Sequence, residues 1–366
     1  MSMLPFFAFF LLVFLGHFFA YKLIIIAWPG IFKKTWLVGL MLAAVTLLFF
    51  ASFISLNIWP YSFIAYLYVL AAILFALLTQ LMLFAFIFCL RLLLLKYWPW
   101  FKRNCLLPDP KSTARLFFFL AIVFFLLGTY NAFFPKVKTI TLDAFSPETK
   151  DVQFVHLSDL HLGAVYRPFY LSNLVRRVNA LRPDFVIISG DLFDGSDKGL
   201  EEFISPLSVF EMPVIFVPGN HDTYLTDMAV NETVKAAGFI HLVDEAILQS
   251  NLEIIAFNYL SNQDSNLNRT INNLDADQAY PRIVVNHVPV DHKEANDLGA
   301  KLFLSGHAHR GQIFPFSLVT SLIYGPFAYG LEQYENMITY TSAGTATWGP
   351  PIRTIFPGEI ILFSFK

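Results

Sequence analysis

The sequence predicts a membrane α-helical N-terminal region of four spans over residues 1–138, followed by a water-facing α/β domain over residues 139–366. Three observations predict it: an excess of apolar residues, a charge asymmetry between the two parts, and a change of hydrophobic rhythm near Val152. The chain of 366 residues is 56% hydrophobic and 14% charged, against about 25% charged for an ordinary soluble domain. The first 138 residues hold 11 Lys and Arg and the single acid Asp109, out of totals of 25 and 27. The remainder therefore carries 14 Lys and Arg against 26 Asp and Glu, and is strongly acidic. Duplex nucleic acid is excluded as a partner of that part, because displacing counterions from a polyanion draws on surplus Lys and Arg.

Crossing about 30 Å of hydrocarbon takes roughly 20 helical residues. Four apolar runs are read as long enough to cross: Leu4–Ala20, Trp36–Trp59, Tyr61–Leu90 and Leu116–Phe134. The first lacks a basic leader and a small-residue cleavage site and is read as retained. Lys22, Lys33 and Lys34 follow the first run, and Arg91, Lys96, Lys102, Arg103, Lys111 and Arg115 follow the third. With four crossings these two segments share a face, and the positive-inside rule makes it cytoplasmic. The expected location is an inner or plasma membrane, with the acidic domain outside the cytoplasm. His17 and Gln80 are read as interhelical hydrogen-bonding groups. No acid lies within the runs, which argues against a proton or ion path.

Both cysteines, Cys89 and Cys105, precede the acidic domain, which therefore holds no disulfide. From Val152 the chain breaks into short apolar runs bounded by turn residues. Gln153–Leu157, Phe185–Ser189, Val214–Val217, Ile283–Val285 and Leu302–Leu304 read as buried strands, with Met337–Ser342 and Glu359–Phe365 as later ones. Helical spacing occurs in Phe169–Leu181, Leu200–Phe210 and Leu225–Ala237. This alternation predicts α/β layers with largely parallel strands and a mixed second sheet.

The strand ends carry the chemistry. In order they read Ser158–Asp159–Leu160–His161, Gly190–Asp191–Leu192–Phe193–Asp194, Gly219–Asn220–His221–Asp222, Asn286–His287 and Gly306–His307–Ala308–His309. Loops beyond the carboxyl ends of parallel strands converge on one crevice. Two divalent ions about 3.5–4 Å apart need hard carboxylate, amide or imidazole ligands and one bridging carboxylate. Asp159 and His161 can reach one ion, Asp191 is the natural bridge, and Asn220, His287, His307 and His309 complete two sites. Taken singly, each motif is equally well a turn, a helix cap or a chance metal binder.

Together the five blocks resemble the calcineurin-like metallophosphoesterase superfamily, whose motifs are Asp-x-His, Gly-Asp-x-x-Asp, Gly-Asn-His-Asp/Glu, His and Gly-His-x-His. Thr345–Arg353 and Gly306–Gln312 are similar to its membrane-associated branch, found in bacteria and animals. The resemblance covers about Val152 to Lys366. It implies an αββα sandwich of two mixed sheets and a metal-dependent hydrolase of phosphoric esters or pyrophosphates. By position it assigns Asp159, His161, Asp191 and His309 to one metal, and Asp191, Asn220, His287 and His307 to the other. His221 then faces the scissile phosphate and Asp222 holds its imidazole, while Asp194 is read as orienting a ligand, with direct metal contact as the alternative. Mn2+ is the family-type occupant, with Fe or Zn as alternatives.

Three features bear on substrate. Tethering to four spans favours a lipid or lipid-linked phosphate in the bilayer. Ile313–Leu331 is unusually apolar and reads either as an interfacial flap or acyl groove, or as a core element. Arg310 and Arg353 are candidates to grip a second phosphate or head group. Tyr166 and Arg167 are candidates for the entrance. Relatives that cleave the pyrophosphate of UDP-diacylglucosamine make it a candidate substrate, although the expected topology opposes a cytosolic nucleotide. The alternatives are an envelope phosphodiesterase for soluble esters, anchored by its spans, and a metal-binding membrane scaffold or sensor without turnover. The sequence leaves oligomeric state open.

Overall fold

The computed structural model describes residues 4–31, 33–56, 61–100, 109–257 and 280–366. Cys105, Lys102 and Arg103 lie outside the described residues. The chain divides into two compact units, residues 1–129 and 130–366. The division falls ahead of Lys138 because Lys136 already pairs with Glu359 as the first rung of strand β1 (Lys136–Leu142).

The first unit holds α1 (Leu4–Ala27), α2 (Trp36–Ser55), α3 (Tyr61–Tyr97) and all but the last turn of α4 (Pro110–Phe133). Three helices are long and apolar enough to cross a membrane: α2, α3 from Phe63 to Tyr97, and α4; the Leu11–Ala27 stretch of α1 is shorter. The four expected spans are thus four helices, three of which meet the length requirement among the described residues. Helix α3 has 37 residues, or about 55 Å at 1.5 Å per residue. It carries Arg91 and Lys96 inside the helix rather than in the expected loop. Lys111 and Arg115 likewise fall within α4, which Asp109 caps by accepting the Lys111 and Ser112 N–H groups at 2.9 and 3.2 Å. His17 bridges α1 to α2, with Nε2 3.0 Å from Thr46 Oγ1. Gln80 differs from expectation: its amide reaches its neighbour Thr79 at 3.5 Å, within its own helix.

The second unit is built on two six-stranded sheets. The first runs β1–β12–β2–β3–β4–β5, with β2 (Gln153–Leu157), β3 (Phe185–Ser189), β4 (Val214–Val217), β5 (Ile240–His241) and β12 (Glu359–Phe365). The second runs β10–β11–β9–β8–β7–β6, with β6 (Ala246–Gln249), β7 (Leu252–Phe257), β8 (Arg282–Asn286), β9 (Ala300–Ser305), β10 (Gly330–Tyr334) and β11 (Met337–Thr341). Strands β2 to β5 are mutually parallel, as are β7, β8, β9 and β11. The pairs β12–β2, β6–β7 and β10–β11 are antiparallel. Both sheets are mixed, as expected.

Residue alternation sets the layers. In β2 and β3, Phe154, Phe185 and Ile187 face Ile254, Val285 and Leu304 of the other sheet in the inter-sheet core. Their neighbours Val155, Leu157, Val186 and Ile188 point to the opposite face and meet helices. Those helices are α5 (Pro168–Asn179), α6 (Glu201–Leu207) and α7 (Asp227–Ala236). Leu171, Leu174, Val175 and Val178 form the buried stripe of α5 at the i, i+3, i+4, i+7 spacing. Thr226 caps α7, its hydroxyl accepting the Ala229 N–H at 3.3 Å. On the second sheet α8 (His292–Asp297) contributes Ala295 to a cluster with Val284 and Phe303. Phe154 stacks between Phe185 and Phe363 at 5.1 and 4.9 Å, tying three neighbouring strands. Because both faces of the strands are dry, the polar groups gather beyond their carboxyl ends.

Candidate metal centre

Five loops deliver the polar side chains, three from the first sheet after β2, β3 and β4, and two from the second after β8 and β9. The loops after β2 and β3 are zipped together by main-chain bonds from Asp159 to Gly190, His161 to Asp191 and Leu162 to Leu192, all at 2.9–3.0 Å. At the other side, Gly306 N–H donates to the His287 carbonyl at 2.9 Å. Asp159, His161, Asp191, His307 and His309 all have φ between 45° and 65°. Non-glycine residues held in that region cost of order 1–3 kcal/mol each and cluster at functional sites. The turn brings each ligand off its strand axis and into the crevice. Glycine stands where side chains crowd: a Cβ at Gly219 would overlap Asp191 Oδ1 and the Asp191 main-chain nitrogen.

The structure brings all seven expected ligands together. Ligating atoms of Asp159, His161 and His309 lie within 4.8 Å of one another, and those of Asp191, His287 and His307 do likewise. Asp191 Oδ2 links the two groups, 3.1 Å from His287 Nε2 and 3.8 Å from His161 Nε2, while its Oδ1 accepts the His221 main-chain N–H at 2.8 Å. Asn220 Oδ1 lies 2.9 Å from His307 Nδ1 and 3.2 Å from His287 Nε2. His287 Nδ1 donates to the Ser189 carbonyl at 2.8 Å, which leaves its Nε2 lone pair to the site. His161 Nε2 and His309 Nε2 face each other at 3.1 Å. This convergence of lone pairs on buried positions, in carboxylate, amide and imidazole without sulfur, fits a pair of divalent cations.

Charge supports the same use. Burial alone would raise the carboxyls of Asp159 and Asp191, but His309 beside the first and His287 beside the second hold both well below the usual range. Both are anionic at any working pH and so suited to hold a cation. Burial pushes His307 and His309 down to about 4, so both imidazoles are neutral and free to coordinate. At His287 burial is outweighed by Asp191 and the pKa rises to about 9; a bound cation competes with that proton.

Several roles expected around the centre differ. Asp222 accepts main-chain N–H groups from Gly219, Phe193 and Leu192 at 2.8, 3.0 and 3.3 Å, lacing two ligand loops rather than holding His221. Burial and the nearby Asp191 push its carboxyl up to about 7. The carboxylate beside His221 is Asp194, whose Oδ1 lies 3.6 Å from His221 Nδ1 and 3.3 Å from His161 Nδ1. Arg353 is fully buried and donates to the carbonyls of Ala343, Ala346 and His309, so it is not presented to a substrate. Tyr166 is also buried, its hydroxyl 2.7 Å from Thr347 Oγ1, and does not line an entrance. Arg310 does face open space: with Ser317, Thr320, Tyr329 and Phe356 it lines a cavity of about 300 Å³. Its guanidinium lies 3.9 Å from the Tyr329 ring centre and 3.3 Å from that of Phe356.

Three residues at the centre were not read from the sequence as part of it. Ser158 hydrogen-bonds Asp159 Oδ2, Tyr224 stands 5.2 Å from the His221 ring, and Tyr324 stands edge-on to His307 at 6.3 Å. Ser158 had a signal in its place inside the first ligand block and Tyr324 in its place inside the apolar Ile313–Leu331 segment; Tyr224 had none.

A family model described as calcineurin-like phosphoesterase matches residues 152–311. The chain is 31% identical over 242 residues to an uncharacterized metallophosphoesterase of Campylobacter jejuni, covering 63% of each chain. It is 29% identical over 261 residues to one of Helicobacter pylori, covering 68% of this chain and 70% of the relative. It is 30% identical over 260 residues to the bovine transmembrane protein with metallophosphoesterase domain, covering 64% of this chain and 58% of the relative. The chain thus spans less than two thirds of the Campylobacter and bovine relatives. The matched stretch contains all five ligand loops, so the chain carries a calcineurin-like metallophosphoesterase domain within its second unit.

Proposed function

We propose that the protein is an integral-membrane phosphoesterase that uses two divalent metal ions, with Mn2+ the expected occupant, to hydrolyse a phosphate ester or pyrophosphate in a lipid or lipid-linked head group. The observation that carries this reading is the pair of ligand groups joined through Asp191, in a chain that also holds three helices able to cross a membrane. Asp159, His161, Asp191 and His309 hold one ion, and Asp191, Asn220, His287 and His307 the other. When bound, such a pair neutralises phosphoryl charge and activates water.

The chain's own groups do the rest. Asp194 orients the His161 ring and faces the His221 Nδ1 atom. The partly open His221 stabilises the phosphoryl oxygens or gives a proton to the leaving oxygen. Arg310 offers a guanidinium fork to a phosphate. Basic residues flanking α1 and α3 support a catalytic domain outside the cytoplasm, which favours an envelope lipid over UDP-diacylglucosamine as the physiological substrate.

The test is turnover by the detergent-purified full chain with Mn2+, on phospholipids, UDP-diacylglucosamine, other lipid-linked pyrophosphates and bis-nitrophenyl phosphate. Wild type should release product from a lipid substrate in preference to the soluble ester. Asp191→Asn and His221→Ala should both lose that activity, with metal retained in His221→Ala. A preference for soluble ester would make the helices an anchor only. Metal binding without hydrolysis of any substrate would favour the scaffold reading.

A further inference from the structure

The segment after the His307–His309 loop folds into helix α9 (Phe316–Tyr324), in which no residue is buried. Leu318 is 59% exposed, Leu322 85% and Ile323 65%, and Phe314, Phe316 and Val319 extend the same patch. Leu318, Val319, Leu322 and Ile323, at i, i+1, i+4 and i+5, share one face of the helix. No Asp, Glu, Lys or Arg occurs from Gly311 to Leu331. The core alternative for this segment is therefore excluded; it is apolar and faces outward.

Packing does not explain where α9 stands, but local geometry does. Gly311, at φ 73°, lies so close to the main chain of Phe316 and Ser317 that a Cβ there would overlap it. At the other end Tyr324 meets the ligand His307 edge-on. The helix is pinned at both ends to the rim of the metal centre, and the Arg310 cavity opens against Ser317, Leu318, Thr320 and Ser321 of the same helix.

An exposed apolar patch of this kind marks a membrane or protein contact. The occupant it fits is hydrocarbon. Protein interfaces carry a polar rim, whereas this stretch has no charged residue. The same chain brings a bilayer within reach, since only Phe134 and Pro135 separate the apolar helix α4 from β1. We propose that α9 is an interfacial helix whose Leu318, Leu322 and Ile323 enter the acyl-chain region of the bilayer. A membrane-borne phosphoester then reaches the metal centre alongside it, with a phosphate on Arg310. This deepens, and rests on, the phosphoesterase reading above.

The test uses the full chain, with Cys89 and Cys105 replaced, in phosphatidylcholine nanodiscs. An environment-sensitive nitrobenzoxadiazole label is placed at Leu322→Cys, or at Lys293→Cys on the exposed face of α8. The label at 322 should emit to the blue and be quenched by doxyl-labelled lipid, and the label at 293 should report water. Separately, the Leu322→Glu/Ile323→Glu pair should lower turnover of a bilayer-embedded phosphoester by about tenfold or more. Hydrolysis of bis-nitrophenyl phosphate should stay within about twofold, which reports an intact metal centre. Water-like emission at 322, or blue emission that doxyl-labelled lipid does not quench, as when a second copy covers the helix, overturns the proposal. Lipid-like emission with no selective loss in the glutamate pair overturns the delivery role. The depth measurement uses no catalysis, so absence of turnover in the wild type would strike the phosphoesterase reading and leave the insertion result standing.

Discussion

Arg353 Nη1 donates to the main-chain carbonyl of His309 at 3.3 Å, while Nη2 of the same buried guanidinium holds the carbonyls of Ala343 and Ala346 at 2.5 and 2.6 Å. A cation stands behind the ligand loop and ties it to the Thr345–Arg353 tail. It also adds to the burial that keeps His309 unprotonated. Arg353→Met should leave several buried carbonyls without donors and lower domain stability by about 3 kcal/mol or more. Metal affinity should fall by roughly 10–100-fold, as when partners of metal ligands are removed. Urea unfolding and metal titration check the two effects, and Arg353→Lys should recover little because it lacks the planar fork.

Asp194 serves two imidazoles with one oxygen, at 3.3 Å from His161 and 3.6 Å from His221. Asp194→Asn should weaken metal binding by about tenfold and lower turnover further, because His221 loses its neighbouring charge. If excess metal restores full kcat, the effect on His221 is absent.

Gly219→Ala places a methyl group against Asp191 and the His287 ring. The shared carboxylate has to move, so the variant should fold with near-normal circular dichroism yet bind fewer than two metals per chain. Elemental analysis after gel filtration reads the ratio directly.

His156 lies inside β2, fully buried, with Nε2 2.7 Å from Ser189 Oγ. Burial lowers its pKa from 6.5 to about 3. Between these values the unfolded chain binds a proton that the folded chain does not. This group's share of stability is therefore complete above about pH 7 and is lost as pH falls from about 6.5 toward 3, at up to roughly 1.4 kcal/mol per pH unit. His156→Gln should flatten that slope in denaturant titrations between pH 7 and 5, while any acid loss of metal affects both proteins alike.

Strands β2, β3 and β4 were legible at residue level because both their faces are dry, which writes β3 and β4 as apolar runs and β2 as one interrupted only by His156, each ended by a ligand block. The seven candidate ligands, which the fold brings together, were legible for the same reason. Strand β1 was not, since Lys136–Leu142 is an edge strand, mostly exposed, at the end of an apolar helix. The partner of His221 was misread because the resemblance carried that role over to Asp222 by motif position; a short 3₁₀ turn over Asp222–Tyr224 sends that carboxylate to main-chain donors instead. Arg353 looked like a surface cation because its carbonyl partners are not encoded in any local pattern. An apolar run such as Phe316–Tyr324 reads the same whether it is covered by protein or by lipid, and only its exposure in the fold separates the two.

The order of the first sheet has a consequence for biosynthesis. Strand β12 lies between β1 and β2, parallel to one and antiparallel to the other, yet it follows every other described strand in the chain. As the polypeptide emerges, β1 and β2 wait unpaired along those edges until some two hundred further residues have been made, and such long-range pairing is slow. Thr345 and Ala346, which donate to Ser158 and Asp159 and so fix the first ligand loop, arrive only shortly before β12. A nascent chain stalled before this point lacks the clasp on its first metal ligands, so premature release should yield inactive, aggregation-prone protein rather than a partly active enzyme.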